Sequence, residues 1–176
     1  DADASAVEKL TARSLRDLKW SVNARAKEIK KLQAQAKELR KGVEAEVRAE
    51  VEAMPVYAAR LSMRGENKLD SAALAEMYMG EGDKYALLDW KPLADRKLAG
   101  KDGVHPDILA DSFGFESGDA MVRAVLDAEP MADVVEGMTD QRMLERHGDL
   151  IDQRAIEAAA NKAVHNEARA RSLATE

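Results

Sequence analysis

Apolar residues recur at intervals of three and four along residues 7–54, the spacing that places them on one side of an α-helix. The stretch contains no proline and a single glycine, so it predicts one long amphipathic helix that ends just before Pro55. For about four heptads the apolar positions follow the a/d pattern of coiled coils. This predicted heptad seam consists of Leu15, Leu18, Val22, Ile29, Leu32, Ala36, Leu39 and Val43.

One charged residue interrupts the heptad seam. Arg25 occupies a d position, and we expect it either to extend its charge into solvent or to mark a local break at which Ala26 takes over the contact. After Val43 the apolar interval becomes four residues, through Val47 and Val51. This change predicts that the stripe continues on a drifting face as the left-handed supercoil relaxes.

Proline, glycine and capping residues divide the middle of the chain into short segments. A second helix is predicted after Pro55, followed by a turn at residues 64–67, and Asp70 or Ser71 can cap a third helix. Residues 80–103 mix a short apolar run with glycine-containing turns. We favour a short helix or irregular structure there over a strand, because the sequence offers no second strand to pair with it.

The carboxyl-terminal part is predicted to form several further helices. His105 can cap the first of them, Ser117 or Asp119 the second, and Thr139 with Asp140 a later one. The predicted helices cover residues 106–113, a segment that ends at residue 128, a segment that begins near residue 131, residues 141–147 and residues 152–173.

The two helices between residues 106 and 128 form a helix-turn-helix, which raises the question of DNA reading. The second helix carries Asp119, Asp127 and Glu129 near its ends, and Arg123 is its basic residue. Because this helix would repel phosphate, we interpret the pair as a packing motif.

The patterns together predict an all-α protein, with a long N-terminal amphipathic, coiled-coil-like helix followed by a small helical bundle. We divide the chain into a long basic helix at residues 1–54, short helices and loops at 55–103 and an acidic helical bundle at 104–176. The composition agrees, because only 4% of residues are aromatic while Ala, Leu, Glu, Lys and Arg are abundant.

Charge is distributed unevenly along the chain. Residues 9–41 carry 11 Lys and Arg against 3 Asp and Glu, a net charge of +8, whereas the whole chain is at −6. Basic side chains on several faces of the predicted helix suit a phosphate backbone, an anionic membrane surface or an acidic protein. We favour complementation by the acidic remainder of the chain or by a neighbour. The candidate nucleic-acid or acidic-partner residues are Lys19, Lys27, Lys30, Lys31, Lys37, Arg40 and Lys41.

Several kinds of chemistry are excluded or unsupported. The absence of cysteine excludes thiol catalysis, disulfides and cysteine-based zinc sites, and it fits a reducing compartment. His105, His147 and His165 are too scattered for a metal signature, and neither phosphate-binding nor dinucleotide-binding glycine patterns occur, so we expect no metal and no cofactor.

One pair of residues invites comparison with an enzyme family. Glu116-Ser117 is similar to the catalytic Glu-Ser pair of lytic transglycosylases, but the downstream Gly-Leu-Met-Gln stretch of that family is missing. We interpret Glu116 as a loop residue before a helix cap and expect no enzyme activity in this segment.

The ends of the chain and its hydropathy bear on its origin. No apolar run is long enough to span a membrane, and the acidic start is unlike a signal peptide. Because the chain begins with Asp1 and ends within a helical pattern, we expect it to be a piece of a longer polypeptide.

Three stretches resemble a helical region that recurs in very large tailed-phage polypeptides. They are VHPDILA at residues 104–110, FGFESGD at 113–119 and RMLERHGD at 142–149, with HNEARAR at 165–171 and MPVY at 54–57 in agreement. Overall the resemblance covers residues 40–176. Such regions occur in internal virion proteins that are ejected into the host and in polyvalent proteins that join several enzyme modules.

The resemblance implies a helical scaffold or connector within a large phage protein, in the virion interior or, after ejection, in the host cytoplasm or envelope. It supplies no active site. We therefore expect a structural, oligomer-forming region of an ejection protein that contacts other virion subunits or other regions of the same polypeptide, along a DNA path. The alternative is a nucleic-acid-binding accessory module of a multi-domain phage enzyme, which salt-sensitive DNA binding would favour.

Overall fold

A computed structural model describes residues 2–79 and 88–174, which are almost entirely helical. The elements are α1 (Ala2–Ala53), α2 (Pro55–Arg64), β1 (Leu69–Asp70), α3 (Ser71–Met77), α4 (Lys91–Asp95), β2 (Ala99–Gly100), α5 (Pro106–Ser112), α6 (Gly118–Asp127), α7 (Met131–His147), a 3-10 helix (Gly148–Leu150) and α8 (Gln153–Ala174). The predicted all-α class, with a long first helix followed by shorter packed helices, is confirmed. The glycine break and apolar run predicted between residues 80 and 87 lie outside the described residues.

Proline sets the end of α1 where the sequence predicts it. The last helical residue is Ala53, Met54 is extended with φ −64° and ψ 134°, and Pro55 begins α2. A proline is tolerated in the first turn of a helix because the amide hydrogen that it lacks has no partner there. The helix passes through Arg25 without interruption, and Ala26 is exposed, so the alternative of a break at this position is wrong.

Three predicted caps are confirmed. The Asp70 side chain accepts a hydrogen bond from the Ala73 amide at the start of α3. The ring nitrogen Nδ1 of His105 accepts a hydrogen bond from the Asp107 amide at 3.1 Å and so caps the start of α5. Ser117, rather than Asp119, caps α6, since its hydroxyl oxygen accepts from the Ala120 amide at 3.0 Å.

The prediction of a new helix capped by Thr139 and Asp140 is wrong. The helix α7 runs without a break from Met131 to His147. Thr139 is only 1% exposed, so it belongs to the packed face of α7 and not to a solvated helix end. The sequence misleads here because a threonine followed by an acidic residue is typical of a cap, whereas burial keeps this one inside the helix.

The preference against a strand at residues 80–103 is wrong for its last part. Residues 99–100 form β2, which pairs in parallel with β1 and aligns Leu69 with Ala99. Val104 extends this contact, because its amide donates to the Lys68 carbonyl at 2.7 Å. The approach requires a glycine at 103, where an added Cβ atom would lie 2.6 Å from the Asp70 nitrogen. Two-residue strands are too short to show an alternating pattern in the sequence.

The chain contacts group into two compact units. The first contains Asp1–Glu44 and Met138–Glu176, and the second contains Ala45–Gly137. This grouping brings both ends of the chain into one unit and so divides the chain differently from the three sequence segments. The principal hydrophobic core belongs to the second unit and is formed by Ala59, Met63, Leu69, Leu74, Tyr78, Leu93, Leu98, Ala99, Leu109, Ala110, Met121, Val122 and Val125.

The predicted helix-turn-helix lies within this core. Its two helices, α5 and α6, contact each other at their starts, where Gly118 donates its amide hydrogen to the Asp107 carboxylate at 2.9 Å. The inner residues of both helices are buried.

Candidate interaction surfaces of the long helix

In the first unit, α1 and α8 run side by side in opposite directions. Three contacts join the two helices. The Arg171 guanidinium lies 4.0 Å from the centre of the Trp20 ring. Farther along α1, Arg25 Nε donates to Asn161 Oδ1 at 2.6 Å, and Gln33 Nε2 donates to Gln153 Oε1 at 2.8 Å. Residue numbers rise along α1 as they fall along α8, so the pair is antiparallel. These contacts therefore join the middle of α1, from Trp20 to Gln33, to α8.

The heptad seam is covered along only part of its length. Its carboxyl-terminal residues, from Ile29 to Leu39, are half-buried, and Val43 is 5% exposed. Its amino-terminal residues are fully accessible, with exposures of 61% for Leu15, 62% for Leu18 and 58% for Val22. We call these last three residues the open seam.

The position of Trp20 explains why the open seam has no cover in the first unit. Trp20 lies two residues from both Leu18 and Val22, which places it about 200° around the helix from each of them. The α8 residue Arg171 stacks on Trp20, and both help to line an open cleft of about 320 Å³ that Arg13 and Asp17 also line. Near Trp20 the helix α8 therefore contacts the side of α1 away from Leu18 and Val22, whereas farther along it contacts the d residue Arg25.

Two further apolar residues, which the sequence pattern did not assign to the seam, are exposed on the same part of α1. They are Val7 at 62% and Leu10 at 64% exposure. Neither occupies an a or d position, so the heptad criterion omits them, although Val7 lies on the same side of the helix as Leu18. The accessible apolar surface thus begins one heptad earlier than the predicted seam.

The candidate basic residues fall into two groups. Arg40 forms an ion pair with α7, since its terminal nitrogen lies 2.6 Å from Asp140 Oδ1. The six lysines are exposed, and none has a carboxylate within 4.0 Å among residues 2–79 and 88–174. We call this second group the lysine face; its members are Lys19, Lys27, Lys30, Lys31, Lys37 and Lys41.

The lysine face occupies one broad side of α1. At about 100° per residue, the six lysines fall within about 120° of arc, which is centred about 140° from the middle of the heptad seam and reaches close to the seam at Lys19 and Lys37. From Lys19 to Lys41 they extend about 33 Å along the helix axis. The first 41 residues thus carry a cationic surface and an apolar surface on different sides of one helix.

No pattern in the sequence indicated a role for Arg60 in the second unit. Its terminal nitrogen NH2 donates to the carbonyls of Val125, at 3.0 Å, and Ala128, at 3.4 Å, which lie at the end of α6. Its guanidinium also lies 5.5 Å from the centre of the Tyr57 ring. Burial, more than any neighbouring charge, lowers the pKa of Arg60. Arg60 therefore has a structural role, in which it caps the carboxyl-terminal end of α6.

The remaining sequence candidates do not come together into a site. His105 caps α5, His147 is half-buried in α7 and His165 is exposed on α8. Within the described part of the chain, no three His, Asp or Glu side chains are close enough to hold a metal ion. Glu116 is exposed immediately before the Ser117 cap.

None of the helices described is both long and apolar enough to cross a membrane. Comparisons with protein-family models, curated proteins and solved structures found no match to this chain. Among the described residues, the open seam and the lysine face of α1 are the candidate functional surfaces.

Proposed function

We propose that this chain is a structural assembly region of a large tailed-phage polypeptide, a helical scaffold or connector in a virion-associated ejection protein. The observation that carries the proposal is the open seam, in which Leu15, Leu18 and Val22 continue a heptad pattern but remain exposed. An a/d stripe on a long helix is the surface by which helices associate. The resemblance of residues 40–176 to phage polypeptides supplies the biological setting.

The proposed role places the chain in the virion interior, or in the host cytoplasm or envelope after ejection. Its partners are other virion subunits or other regions of the same polypeptide, and the segment itself is not catalytic. In this role the amino-terminal part of α1 supplies the binding surface.

A second candidate function rests on the lysine face. Six exposed lysines without a carboxylate neighbour, on one side of a helix, suit neutralisation of phosphates along a duplex. Their length of about 33 Å is comparable to one helical turn of DNA. This geometry favours a nucleic-acid-binding accessory module of a multi-domain phage enzyme, which would hold DNA without reading its sequence.

Light-scattering mass of the purified chain distinguishes the two functions. The chain is measured alone and with a 20-base-pair duplex, at low salt and at physiological salt. We expect a discrete assembly whose protein mass is the same with and without the duplex. A monomer that binds the duplex at low salt and is released steeply as salt rises would contradict the assembly role and favour the second function.

A further inference from the structure

We propose that the open seam is covered by the open seam of a second copy of this chain, in an antiparallel helix pair with two-fold symmetry. The inference rests on the proposed assembly role and names its partner. It follows from the heptad positions along residues 8–25, from the charges at the two ends of that segment and from the placement of α8.

In an antiparallel helix pair, each a residue faces a d residue of the other helix. A single register places Leu15 opposite the partner's Leu18 and, by symmetry, Leu18 opposite the partner's Leu15. The same register places Val22 opposite the partner's Thr11. A two-fold interface of this kind is self-complementary, because each contact occurs twice.

Thr11 is suited to this apolar position despite its hydroxyl. The hydroxyl donates to the Val7 carbonyl at 2.9 Å, within its own helix. Burial against the partner's Val22 would therefore leave no polar group without a hydrogen bond, and the threonine methyl group would be available for packing.

Charges at the two ends of the segment determine the direction of the pair. Glu8 is an exposed a residue without an ionic or hydrogen-bonding partner among the described residues, and Arg25 is an exposed d residue. The antiparallel register places Glu8 opposite the partner's Arg25 at both ends. A parallel pair would instead bring two Glu8 residues together and two Arg25 residues together, and this repulsion disfavours it.

The hydrogen bond to Asn161 prepares Arg25 for this contact. Its Nε atom donates to Asn161 Oδ1 at 2.6 Å, which holds the guanidinium at the edge between α8 and the heptad seam. The terminal nitrogens of the same group can then donate to a carboxylate in the fixed geometry that arginine offers.

The remainder of the first unit leaves room for the partner helix. The five lysines from Lys27 to Lys41 lie outside the paired segment of residues 8–25, and Lys19, an e residue, lies at the edge of the interface, about 40° around the helix from Leu15. Trp20 and the end of α8 lie about 200° from Leu18, so α8 does not occupy the open seam.

Disulfide cross-linking tests both the partner and the direction, and the natural chain contains no cysteine to interfere. Glu8→Cys and Arg25→Cys variants are oxidised separately and as a mixture, and the products are identified by mass. We expect a covalent dimer in the mixture only. In an antiparallel pair two copies of residue 8 are about 26 Å apart, whereas a disulfide needs Cα atoms within about 7 Å.

Two controls accompany the cross-linking. A Lys37→Cys variant on the lysine face should not cross-link with either seam variant. Adding Leu18→Glu to both seam variants should abolish their cross-link. Circular dichroism checks that every variant remains helical.

Charge reversal provides a second measurement without cysteine. Glu8→Arg or Arg25→Glu alone should each increase the dimer dissociation constant by at least tenfold, and the double variant should restore it. Equal dissociation constants in all four chains would contradict the register.

The outcomes separate this inference from the proposed function. Self-cross-linking of Glu8→Cys alone would show a parallel pair, which overturns the inference and leaves the assembly role in place. If no cross-link forms and the unsubstituted chain has a monomeric mass, the inference is overturned. If that monomer also binds the duplex at low salt, the assembly role is overturned as well.

Discussion

At the scale of single residues, Arg60 shows how one side chain can complete another element of the fold. The carbonyls at the end of a helix have no partners within it, and Arg60 donates to two of them, those of Val125 and Ala128, at the end of α6. Its Nε atom is buried without a hydrogen bond, and burial lowers its pKa, yet the group stays charged near neutrality because arginine titrates far above it. The guanidinium therefore stabilises α6 at some desolvation cost.

Replacing Arg60 should destabilise the chain measurably. For Arg60→Met we expect a loss of about 1–3 kcal/mol in the free energy of unfolding, because the carbonyls of α6 lose a charged donor. Arg64→Met, at an exposed position of the same helix, is the control and should change the free energy by less than about 0.5 kcal/mol. Urea titration followed by circular dichroism measures both, and equal stabilities would contradict the capping role.

Two glycines in helices offer a matched test of close packing. An added Cβ atom at Gly118 would lie 2.6 Å from Asp107 Oδ1 and 2.7 Å from the Asp107 nitrogen, whereas at Gly137 it would meet no atom within 4 Å beyond the adjacent backbone of its own helix. Gly118→Ala should therefore destabilise the chain by about 1–3 kcal/mol, since backbone must move apart. Gly137→Ala should stabilise it by up to about 1 kcal/mol through helix propensity. Thermal unfolding of the two variants checks the opposite signs, and a shared sign would contradict the packing of α5 on α6.

At the scale of elements, α1 combines two environments within one pattern. The same heptad rule selects Val43, which is 5% exposed, and Val22, which is 58% exposed. A pattern of apolar positions specifies which side of a helix is suited to packing, and the presence of a neighbour on that side depends on residues far away in the sequence. Near Trp20, α8 contacts the other side of α1.

The same substitution, valine to alanine, should change the free energy of unfolding by different amounts in these two environments. Val43→Ala should cost about 1–2.5 kcal/mol of unfolding free energy, because it leaves a cavity in a packed region. Val22→Ala should cost less than about 0.5 kcal/mol in dilute protein, although it weakens self-association at high concentration. Denaturant unfolding at two protein concentrations distinguishes these effects. A similar loss for both valines in dilute protein would mean that Val22 is already covered.

The elements also show how far sequence reasoning reaches. Pro55 and the caps His105 and Ser117 act locally, so their helix ends could be predicted. The pairing of β1 with β2 joins residues 30 positions apart, and the burial of Thr139 depends on tertiary packing, so neither was visible in the sequence. For the candidate surfaces, the sequence predicted the residues of the seam and of the lysine face, whereas the exposure of the open seam depends on where α8 packs.

At the scale of the whole molecule, the two compact units differ in charge. Residues 1–44 with 138–176 carry a net charge of +3, whereas residues 45–137 carry −9. The sequence segments could not reveal this contrast, because the positive unit is assembled from both ends of the chain. The lysine face belongs to the positive unit, and the open seam lies on a different side of the same helix.

Neutralising the lysine face should separate DNA binding from assembly. In a variant with Lys27, Lys30, Lys31 and Lys37 all changed to Gln, any salt-sensitive binding of duplex DNA should fall at least tenfold, because fewer counterions are released. The mass of the protein assembly should be unchanged, since these four lysines lie outside residues 8–25, the segment that is proposed to pair. Fluorescence anisotropy with a labelled duplex, alongside light scattering, measures both. Loss of the assembly in this variant would contradict the separation of the two surfaces.

The most direct test of the central claim is the light-scattering mass of the unsubstituted chain and of Leu18→Glu across a range of protein concentrations. Leu18 is 62% exposed in the single chain, so the substitution should leave the fold intact while placing a charge in the centre of the open seam. We expect the unsubstituted chain to approach twice its 19.3 kDa mass as concentration rises, and Leu18→Glu to remain at 19.3 kDa. A chain that stays monomeric at every concentration, or a dimer that Leu18→Glu leaves unchanged, would contradict assembly through the open seam.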